Sequence, residues 1–367
     1  MSLVVRRVTT RDGFAALEPV WAELAAQTDR GSPFASHDWF ACCWEAVAAG
    51  ERPEVLVFEE AGNAVAVVPV RVQCARVRGL PIRLLTLLDS ADTPFVDVLA
   101  AGAFPPVARA LLDHLDRRAD WDIVRLQRLP AASPTVKVME AELEGHWQWR
   151  RRGTLDSPYL AIAGTWEAFY GAKSQRFKKT VRNIQNRLER LGSISIEEHR
   201  AVAPGSGLFN DLIDLTSRSW KADRGIAIAT MPRMRQFFDD LTRRASARGW
   251  LSVWFLRLDG RPIAMEYQLR AQGVVHALRS DFDMTYAAAS PGSALNFAIA
   301  RGLFAEGGVR EYDMGPGLNE YKMRWATGCH ETVDLEIYRR TLYARLCYAL
   351  ETQIVPAARR IRDRVRS

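Results

Sequence analysis

Three apolar runs separated by two turn signals lie between Trp250 and Ser280, and they restrict the fold of this chain more than any other feature. Short apolar runs on either side of a glycine-containing turn predict an antiparallel hairpin with a third strand beside it. A loop containing Pro and Gly comes next, and then a helical pattern. The predicted elements are strands over Trp250–Leu258, Pro262–Arg270 and Val274–Ser280, a helix over Ser293–Glu306 and a strand over Glu311–Met314.

The first half of the chain repeats this order in diverged form. Val55–Phe58 and Ala64–Val72 flank Glu59–Asn63, which is another hairpin signal, and helical patterns lie before and after the hairpin. We therefore predict an α/β chain of the α+β type with two similar domains that join near residues 153–165. The predicted divisions are a domain over 1–160, a domain over 161–340 and a basic C-terminal helix over 341–367.

The composition is that of an ordinary globular protein, since 48% of the 367 residues are hydrophobic and 25% are charged. No run approaches the roughly 18 apolar residues of a membrane-spanning helix. The first residues lead directly into a strand pattern without a signal peptide. The five cysteines are odd in number and lack CxxC spacing, which indicates reduced thiols and argues against a structural zinc site. We therefore expect a cytoplasmic protein.

The net charge of +7 is concentrated in two segments. Lys173–Arg190 contains seven basic residues and one acidic residue, and Arg339–Arg366 contains eight basic and two acidic residues. This distribution argues against a general nucleic-acid-binding surface and favours local contacts with anions. The partner would be a cofactor phosphate, a tRNA or an acidic lipid at the inner face of the membrane, and the alternative is a solvated helix face.

Two short segments carry features that suit ligand chemistry. The junction Ala289–Asn296 opens a helix whose first N–H groups have no intrahelical partner and can bind an anion. The segment Tyr312–Lys322 leaves a buried strand through two glycines, which permit positive φ or a close backbone approach. It then offers Tyr321 and Lys322 to whatever lies beside the bend.

The chain from Ala172 to about Ala326 resembles the GNAT acyltransferases and, among them, the FemAB/CelD-like branch. The resemblance implies two tandem GNAT-like domains, each with a mixed, mostly antiparallel sheet flanked by helices. In that fold the central strands splay apart and hold acyl-CoA as co-substrate, without a metal ion. The matching features are the basic helix Ser174-Gln175-Arg176-Phe177-Lys178-Lys179-Thr180-Val181-Arg182, the junction Ser290-Pro291-Gly292-Ser293-Ala294-Leu295, and Tyr312-Asp313-Met314-Gly315 followed by Tyr321-Lys322.

The resemblance implies transfer of an acyl group from CoA to an amine by direct attack on the thioester. The junction departs from the Q/R-x-x-G-x-G/A loop of many GNAT enzymes, because it holds one glycine and no basic residue. FemAB-like members use aminoacyl-tRNA, so a charged-tRNA-dependent transferase acting on a peptidoglycan precursor is an alternative, as is a non-catalytic binding relative. The residues expected to bind the cofactor are Ser290, Gly292, Ser293, Ala294, Asn296 and Lys322.

Four residues are candidates for the catalytic steps. Glu266 stands among apolar strand residues, which suits a desolvated base, and the alternatives are a strand face open to water or a structural ion pair. His276 is either a general base or a hydrogen-bonded core histidine. Asp313 is a base, a contact for the acceptor amine or the cap of a turn. Tyr321 would donate a proton to the leaving thiolate or lie on a solvated helix face.

The acceptor site is expected at the end of the third strand and in the loop after it. The candidate residues there are Arg279, Asp281 and Tyr286, although Arg279 and Asp281 could equally pair with each other. Family context makes an envelope sugar or a long-chain amino lipid the expected acceptor. The N-terminal domain lacks a glycine-rich junction at Phe104–Val107 and is expected to shape the acceptor cleft without catalysing.

Overall fold

The computed structural model describes residues 3–28, 32–202 and 207–354, which contain both strands and helices. The strands are β1 Val4–Val8, β2 Arg52–Glu60, β3 Asn63–Val77, β4 Leu80–Leu87, β5 Leu99–Ala100, β6 Ile123–Pro130, β7 Gln148–Gly153, β8 Ser157–Ala161, β9 Ile194–His199, β10 Leu251–Leu258, β11 Arg261–Ala271, β12 Val274–Phe282, β13 Glu311–Asp313, β14 Gly328–His330 and β15 Thr332–Tyr338. The α-helices are α1 Arg11–Ala15, α2 Glu18–Ala26, α3 His37–Glu45, α4 Phe104–Arg117, α5 Pro134–Leu143, α6 Trp166–Gly171, α7 Gln175–Glu189, α8 Leu208–Ser217, α9 Trp220–Asp223, α10 Pro232–Ala247, α11 Pro291–Ala305, α12 Glu320–Met323 and α13 Leu342–Ala349.

The chain divides into two compact units. The first unit comprises Met1–Ser90, Phe95–Thr154 and Glu331–Ser367, and the second comprises Ala91–Pro94 and Leu155–His330. The sequence predicted divisions at 160 and 340, and the second change of unit comes earlier than 340 because β15 pairs with β6 and β7 in the first sheet. Within the predicted helix over 341–367, α13 is followed by a π-helical turn over Leu350–Ile354, and the remaining residues lie outside the described ranges.

Each unit has one sheet, and the two sheets share a plan. The first has the strand order β1-β2-β3-β4-β6-β15-β7, with β5 beside β3, and the second has the order β14-β8-β13-β12-β11-β10-β9. One central pair in each sheet is parallel, β4 with β6 and β12 with β13, and the other neighbouring strands of these two sheets are antiparallel. A helix, α4 or α11, connects the two strands of each parallel pair. The predicted pair of mixed, mostly antiparallel sheets flanked by helices is confirmed.

Helix α7 shows why the sequence forms these elements. The hydroxyl of Ser174 caps its start by accepting from the N–H of Phe177. Val181, Ile184 and Leu188 lie one helical turn apart and are buried against α11 in the core of the second unit. The other faces of the helix carry the basic side chains.

The apolar periodicity over Arg11–Gln27 is divided between two helices, α1 and α2, and Pro19 lies in the first turn of α2, where a missing N–H costs no intrahelical hydrogen bond. Helices α6 and α7 are likewise separate, and Ser174 caps the start of the second.

Candidate active site

The parallel strands β12 and β13 pair over only three residues, and the last pair is His276 with Asp313. Beyond this pair the chain after β13 stays beside β8, because the N–H of Met314 donates to the carbonyl of Pro158 at 3.0 Å and the N–H of Gly317 donates to that of Asp156 at 2.9 Å. Strand β12 meanwhile continues to Phe282 without that neighbour. We call the region between residues 278–282 and 314–317, where the two segments no longer pair, the splay bay.

Gly315 forms the closed end of the splay bay. Its φ is +74°, and a Cβ there would lie 2.7 Å from the carbonyl oxygen of Ala277, so only glycine fits without a shift of the backbone. Lys322 holds the bend, since its Nζ donates to the carbonyls of Gly315 and Pro316, both at 2.9 Å. Burial lowers the pKa of Lys322, and the charges of Glu266 and Asp313 oppose that shift.

Glu266 projects from β11 on the α11 side of the sheet and is 5% exposed. Its Oε2 accepts from the hydroxyl of Ser280 at 2.9 Å, and its Oε1 accepts from Gln268 Nε2 at 2.8 Å and from the phenol of Tyr312. Asn296 on α11 donates to the same phenol at 3.2 Å. Burial and the neighbouring Glu266 charge raise the pKa of Tyr312 well above its usual value, so its phenol remains a donor.

On the opposite face, Asp313 and His276 meet where strand pairing stops. His276 Nδ1 lies 3.3 Å from Asp313 Oδ2, and Asp313 Oδ1 accepts from the hydroxyl of Ser157 and, at 2.9 Å, from the N–H of Gly315. Burial disfavours the charge of Asp313, but His276 and these hydrogen bonds outweigh it and hold the pKa of Asp313 below its usual value. A carboxylate beside Nδ1 favours the tautomer with its proton there.

The predicted acceptor residues at the end of β12 form an ion cluster. Asp281 Oδ2 lies 3.1 Å from Arg279 Nε and 3.3 Å from Lys221 Nζ, and Arg279 Nη1 lies 3.1 Å from Asp92 Oδ2. The predicted pairing of Arg279 with Asp281 is therefore present. Burial lowers the pKa of Lys221, and Asp281 opposes that shift. Tyr286, the third predicted acceptor residue, packs against the core cluster of the second unit.

The predicted cofactor residues do not all converge. Ser290 has left-handed φ and ψ of 57° and 52° and precedes α11, and its carbonyl accepts from the N–H groups of Ser293 and Ala294 at 3.1 and 3.3 Å. The side chain of Asn296 contacts Tyr312 instead of the helix start. Arg187 of α7 brings a positive charge near the junction, since its Nη1 donates to the carbonyl of Ala288 at 2.6 Å.

Tyr321, the fourth predicted catalytic residue, lies on α12 next to the buried Lys322 and is 39% exposed. Burial and, to a smaller extent, the charge of Glu266 raise the pKa of its phenol. Glu266 contacts one side of the splay bay through Ser280, and Lys322 contacts the other side through Gly315 and Pro316. His276 and Asp313 lie at its vertex.

Sequence reasoning missed Tyr312, Ser280, Ser157 and Lys221 as contacts of the predicted residues. The contact with Ser280 could have been predicted, because the strand register set by the hairpin places Ser280 opposite Glu266. The contact with Ser157 could not, since Ser157 comes from a strand far away in sequence that inserts between β13 and β14.

Comparison with known families adds a description to this geometry. Residues 175–323 match the model of the acetyltransferase (GNAT) domain family. The matched segment contains α7, the hairpin β10–β11, the parallel pair β12–β13, α11 and α12. The GNAT resemblance predicted from the sequence is therefore confirmed, and the chain has a GNAT-type acyltransferase fold. A comparison with curated proteins finds no match.

Solved structures extend the GNAT likeness over nearly the whole chain. The C-terminal domain of a putative lysylphosphatidylglycerol synthetase from Agrobacterium fabrum is 13% identical, covers 93% of this chain and 96% of its own, and has a TM-score of 0.58. FemX is 9% identical with a TM-score of 0.57, covering 93% of this chain and 100% of its own. A tandem GNAT protein from the clavulanic acid biosynthesis pathway is 12% identical with a TM-score of 0.54, covering 91% and 98%. At these identities the likeness establishes the tandem fold.

The described residues also bear on membranes and metals. Among them, no helix has both the length and the apolar character needed to cross a bilayer. Within the same ranges, no group of three or more His, Cys, Asp or Glu side chains is arranged to hold a metal ion.

Proposed function

We propose that this chain is an acyl-CoA-dependent N-acyltransferase whose reaction takes place in the splay bay of the second unit. The observation that carries the proposal is Glu266, a nearly fully buried carboxylate that accepts hydrogen bonds from Ser280 at the edge of the bay and from the phenol of Tyr312. Acyl transfer to an amine requires a base, a group that stabilises the oxyanion and an acid for the leaving thiolate. The bay has side chains suited to the first and last of these requirements.

The start of α11 supports a phosphate-bearing donor. The N–H of Gly292 points out of the first helical turn, and a helix N-terminus favours a negative charge. The junction has no basic residue of its own, but Arg187 reaches the carbonyl of Ala288 from α7. Ser290, Gly292, Ser293 and Arg187 would therefore hold the diphosphate of CoA, and the thioester would enter between β12 and the bend after β13.

Glu266 would take the proton from the acceptor ammonium, which frees the nitrogen lone pair for attack on the thioester carbon. The nitrogen then attacks the thioester carbon to give a tetrahedral adduct, and collapse of this adduct breaks the C–S bond. The thiolate takes a proton from Tyr321, whose raised pKa keeps the phenol protonated until that step, and the resulting phenolate takes the extra proton from the amide nitrogen. His276, oriented by Asp313, is the second candidate base. Arg279, Asp281 and Tyr286 would line the acceptor side.

An amine acceptor from the cell envelope, an amino sugar or a long-chain amino lipid, suits this chemistry. The envelope is suggested by the names of two fold relatives, FemX and a putative lysylphosphatidylglycerol synthetase. We also propose that the protein works in the cytoplasm and that the first unit is non-catalytic.

The first experiment is binding of acetyl-CoA, palmitoyl-CoA and CoA, followed by thermal shift and native mass spectrometry. A tightly bound donor at 100-fold excess over its Kd stabilises a protein by about 2.7 kcal/mol. We expect stabilisation by CoA species that Arg187→Ala weakens, and an Arg301→Ala variant serves as the control for loss of an exposed arginine. No shift with any CoA species, together with salt-sensitive tRNA binding, would replace this donor by aminoacyl-tRNA.

A further inference from the structure

The outer side of α7 carries a group of basic side chains. Arg176, Lys179, Arg182 and Arg190 are exposed, and within the described part of the chain none of the four makes a salt bridge. They lie on the side of the helix away from the buried stripe of Val181, Ile184 and Leu188. Other basic side chains of the segment bind backbone carbonyls, as Lys178 does with Gly171.

Two exposed apolar side chains lie in a segment that contacts the start of α7. In the segment that leaves the splay bay, Leu318 is 54% exposed and Met323 is 45% exposed. The segment lies against the first turn of α7, because Lys173 Nζ donates to the carbonyl of Arg324 at 2.8 Å and the rings of Phe177 and Trp325 are 4.9 Å apart. The start of α7 and the segment Leu318–Met323 are therefore neighbours. We call Arg176, Lys179, Arg182, Arg190, Leu318 and Met323 together the basic–apolar face.

We propose that the basic–apolar face binds the surface of a membrane that contains anionic phospholipid. The three arginines and the lysine match the charge of the lipid headgroups, and each contributes about fivefold to binding near such a surface. Leu318 and Met323 suit the apolar part of the membrane surface, since apolar side chains next to basic ones enter the boundary between headgroups and acyl chains. An RNA would match the charges but would leave these two aliphatic side chains without a partner.

This surface adjoins the splay bay. Lys322, which contacts the bay through Gly315 and Pro316, stands between Leu318 and Met323 in the sequence. A membrane bound here would present its headgroups to the bay, so the acceptor would be an amine-bearing amphiphile. The membrane contact stands on its own evidence, whereas the choice of acceptor rests on the proposed acyl transfer.

The test is co-sedimentation of the full chain with vesicles of phosphatidylcholine alone or with about 30 mol% phosphatidylglycerol, which approaches the charge density of an acidic leaflet. We expect binding to the anionic vesicles that weakens as salt is raised and is absent with phosphatidylcholine. The triple variant Arg176→Glu/Lys179→Glu/Arg182→Glu should bind at least about 100-fold more weakly. Leu318→Ser/Met323→Ser should weaken binding while keeping its salt dependence.

The matched control is Arg233→Glu/Arg235→Glu/Arg261→Glu, which makes the same change of net charge at exposed arginines of other elements. It should bind the anionic vesicles like the wild-type chain, provided that circular dichroism shows all variants folded. Equal binding by the triple variant and the control, or no binding by the wild type, would overturn the proposal. Tight binding of RNA in place of vesicles would also overturn it. Glu266→Gln should leave vesicle binding unchanged, so failure of the catalytic proposal is detected separately.

Discussion

The two parallel strand pairs, β4–β6 in the first unit and β12–β13 in the second, both stop pairing after three residues, but they end on different chemistry. The last pair is Thr86 with Arg125 in the first unit and His276 with Asp313 in the second. Arg125 donates to the buried Glu336, so this vertex is a structural ion pair. The vertex of the second unit instead joins a histidine to a carboxylate.

The contrast sharpens two residues farther on. Gln127 of β6 holds the place that Gly315 holds after β13, and its side chain fills the gap: Leu87 N–H donates to Gln127 Oε1 at 3.1 Å and Gln127 Nε2 donates to the Leu87 carbonyl at 2.8 Å. Gln127 Nε2 also donates to Asp89, which pairs with Arg71. In the first unit the side chain of Gln127 thus fills the region beyond the parallel pair. In the second unit Gly315 stands at the same place and has no side chain.

The helices that connect the strands of each parallel pair also differ, in the number of N–H groups that their first turns can offer to an anion. Helix α4 begins Phe104-Pro105-Pro106, and two prolines remove two of the N–H groups that a helix start can offer to an anion. Helix α11 has one proline followed by Gly292 and Ser293. At these two places, the parallel-pair vertex and the helix start, the described part of the first unit offers fewer groups to a phosphate or an acyl donor, which supports the proposal that it is non-catalytic.

The largest effect is expected from Glu266→Gln, because the amide keeps the shape of the side chain but cannot accept a proton. With an amine acceptor and an acyl thioester, kcat/KM should fall by about 10²–10⁴, the usual contribution of a general base. Binding of CoA should change little, which calorimetry can check. Undiminished turnover would assign the base to His276, and His276→Gln would then be the decisive variant.

Gln127→Ala should lower the free energy of unfolding by about 2–4 kcal/mol, since it leaves the buried N–H and carbonyl of Leu87 without their partner. Urea titration measures this change, and turnover per folded molecule should remain that of the wild type. If the folded variant lost turnover, the first unit would contribute to catalysis, and the contrast between a structural and a catalytic vertex would be wrong.

These contrasts were only partly visible in the sequence. The hairpin β10–β11 and the helix α11 could be predicted, because apolar periodicity and turn residues are local signals. Strands β7 and β15 were missed: β7 is largely polar, with the sequence QWRRRG, and the place of β15 in the first sheet depends on pairing with β6, which lies far away in the sequence. The hydrogen-bonded partners of Glu266 and Asp313 also depend on contacts between segments far apart in the sequence. The two residues themselves could be singled out from their local sequence.

Gly315→Ala should cost about 1–3 kcal/mol of stability through its positive φ, and more through the 2.7 Å contact of the new Cβ with the Ala277 carbonyl. Gly317→Ala is the matched control, because its φ is +102° but its Cβ would first meet an atom at 3.6 Å. Chemical denaturation of both variants separates strain from crowding. Equal losses of unfolding free energy in the two variants would show that the contact with the Ala277 carbonyl adds nothing to the cost of positive φ.

The smallest effect concerns pH and distinguishes the vertex of the second unit from the Thr86–Arg125 vertex of the first. Because the folded-state pKa of Asp313 is lowered, its contribution to stability is complete above the unfolded-state pKa of about 3.9 and is lost as pH falls through the folded-state value. Asp313→Asn should therefore flatten the acid side of a plot of unfolding free energy against pH. His276→Gln should flatten it less, since the hydroxyl of Ser157 and the N–H of Gly315 still bind the carboxylate. An unchanged acid slope in Asp313→Asn would mean that the His276–Asp313 contact does not stabilise the ionised carboxylate.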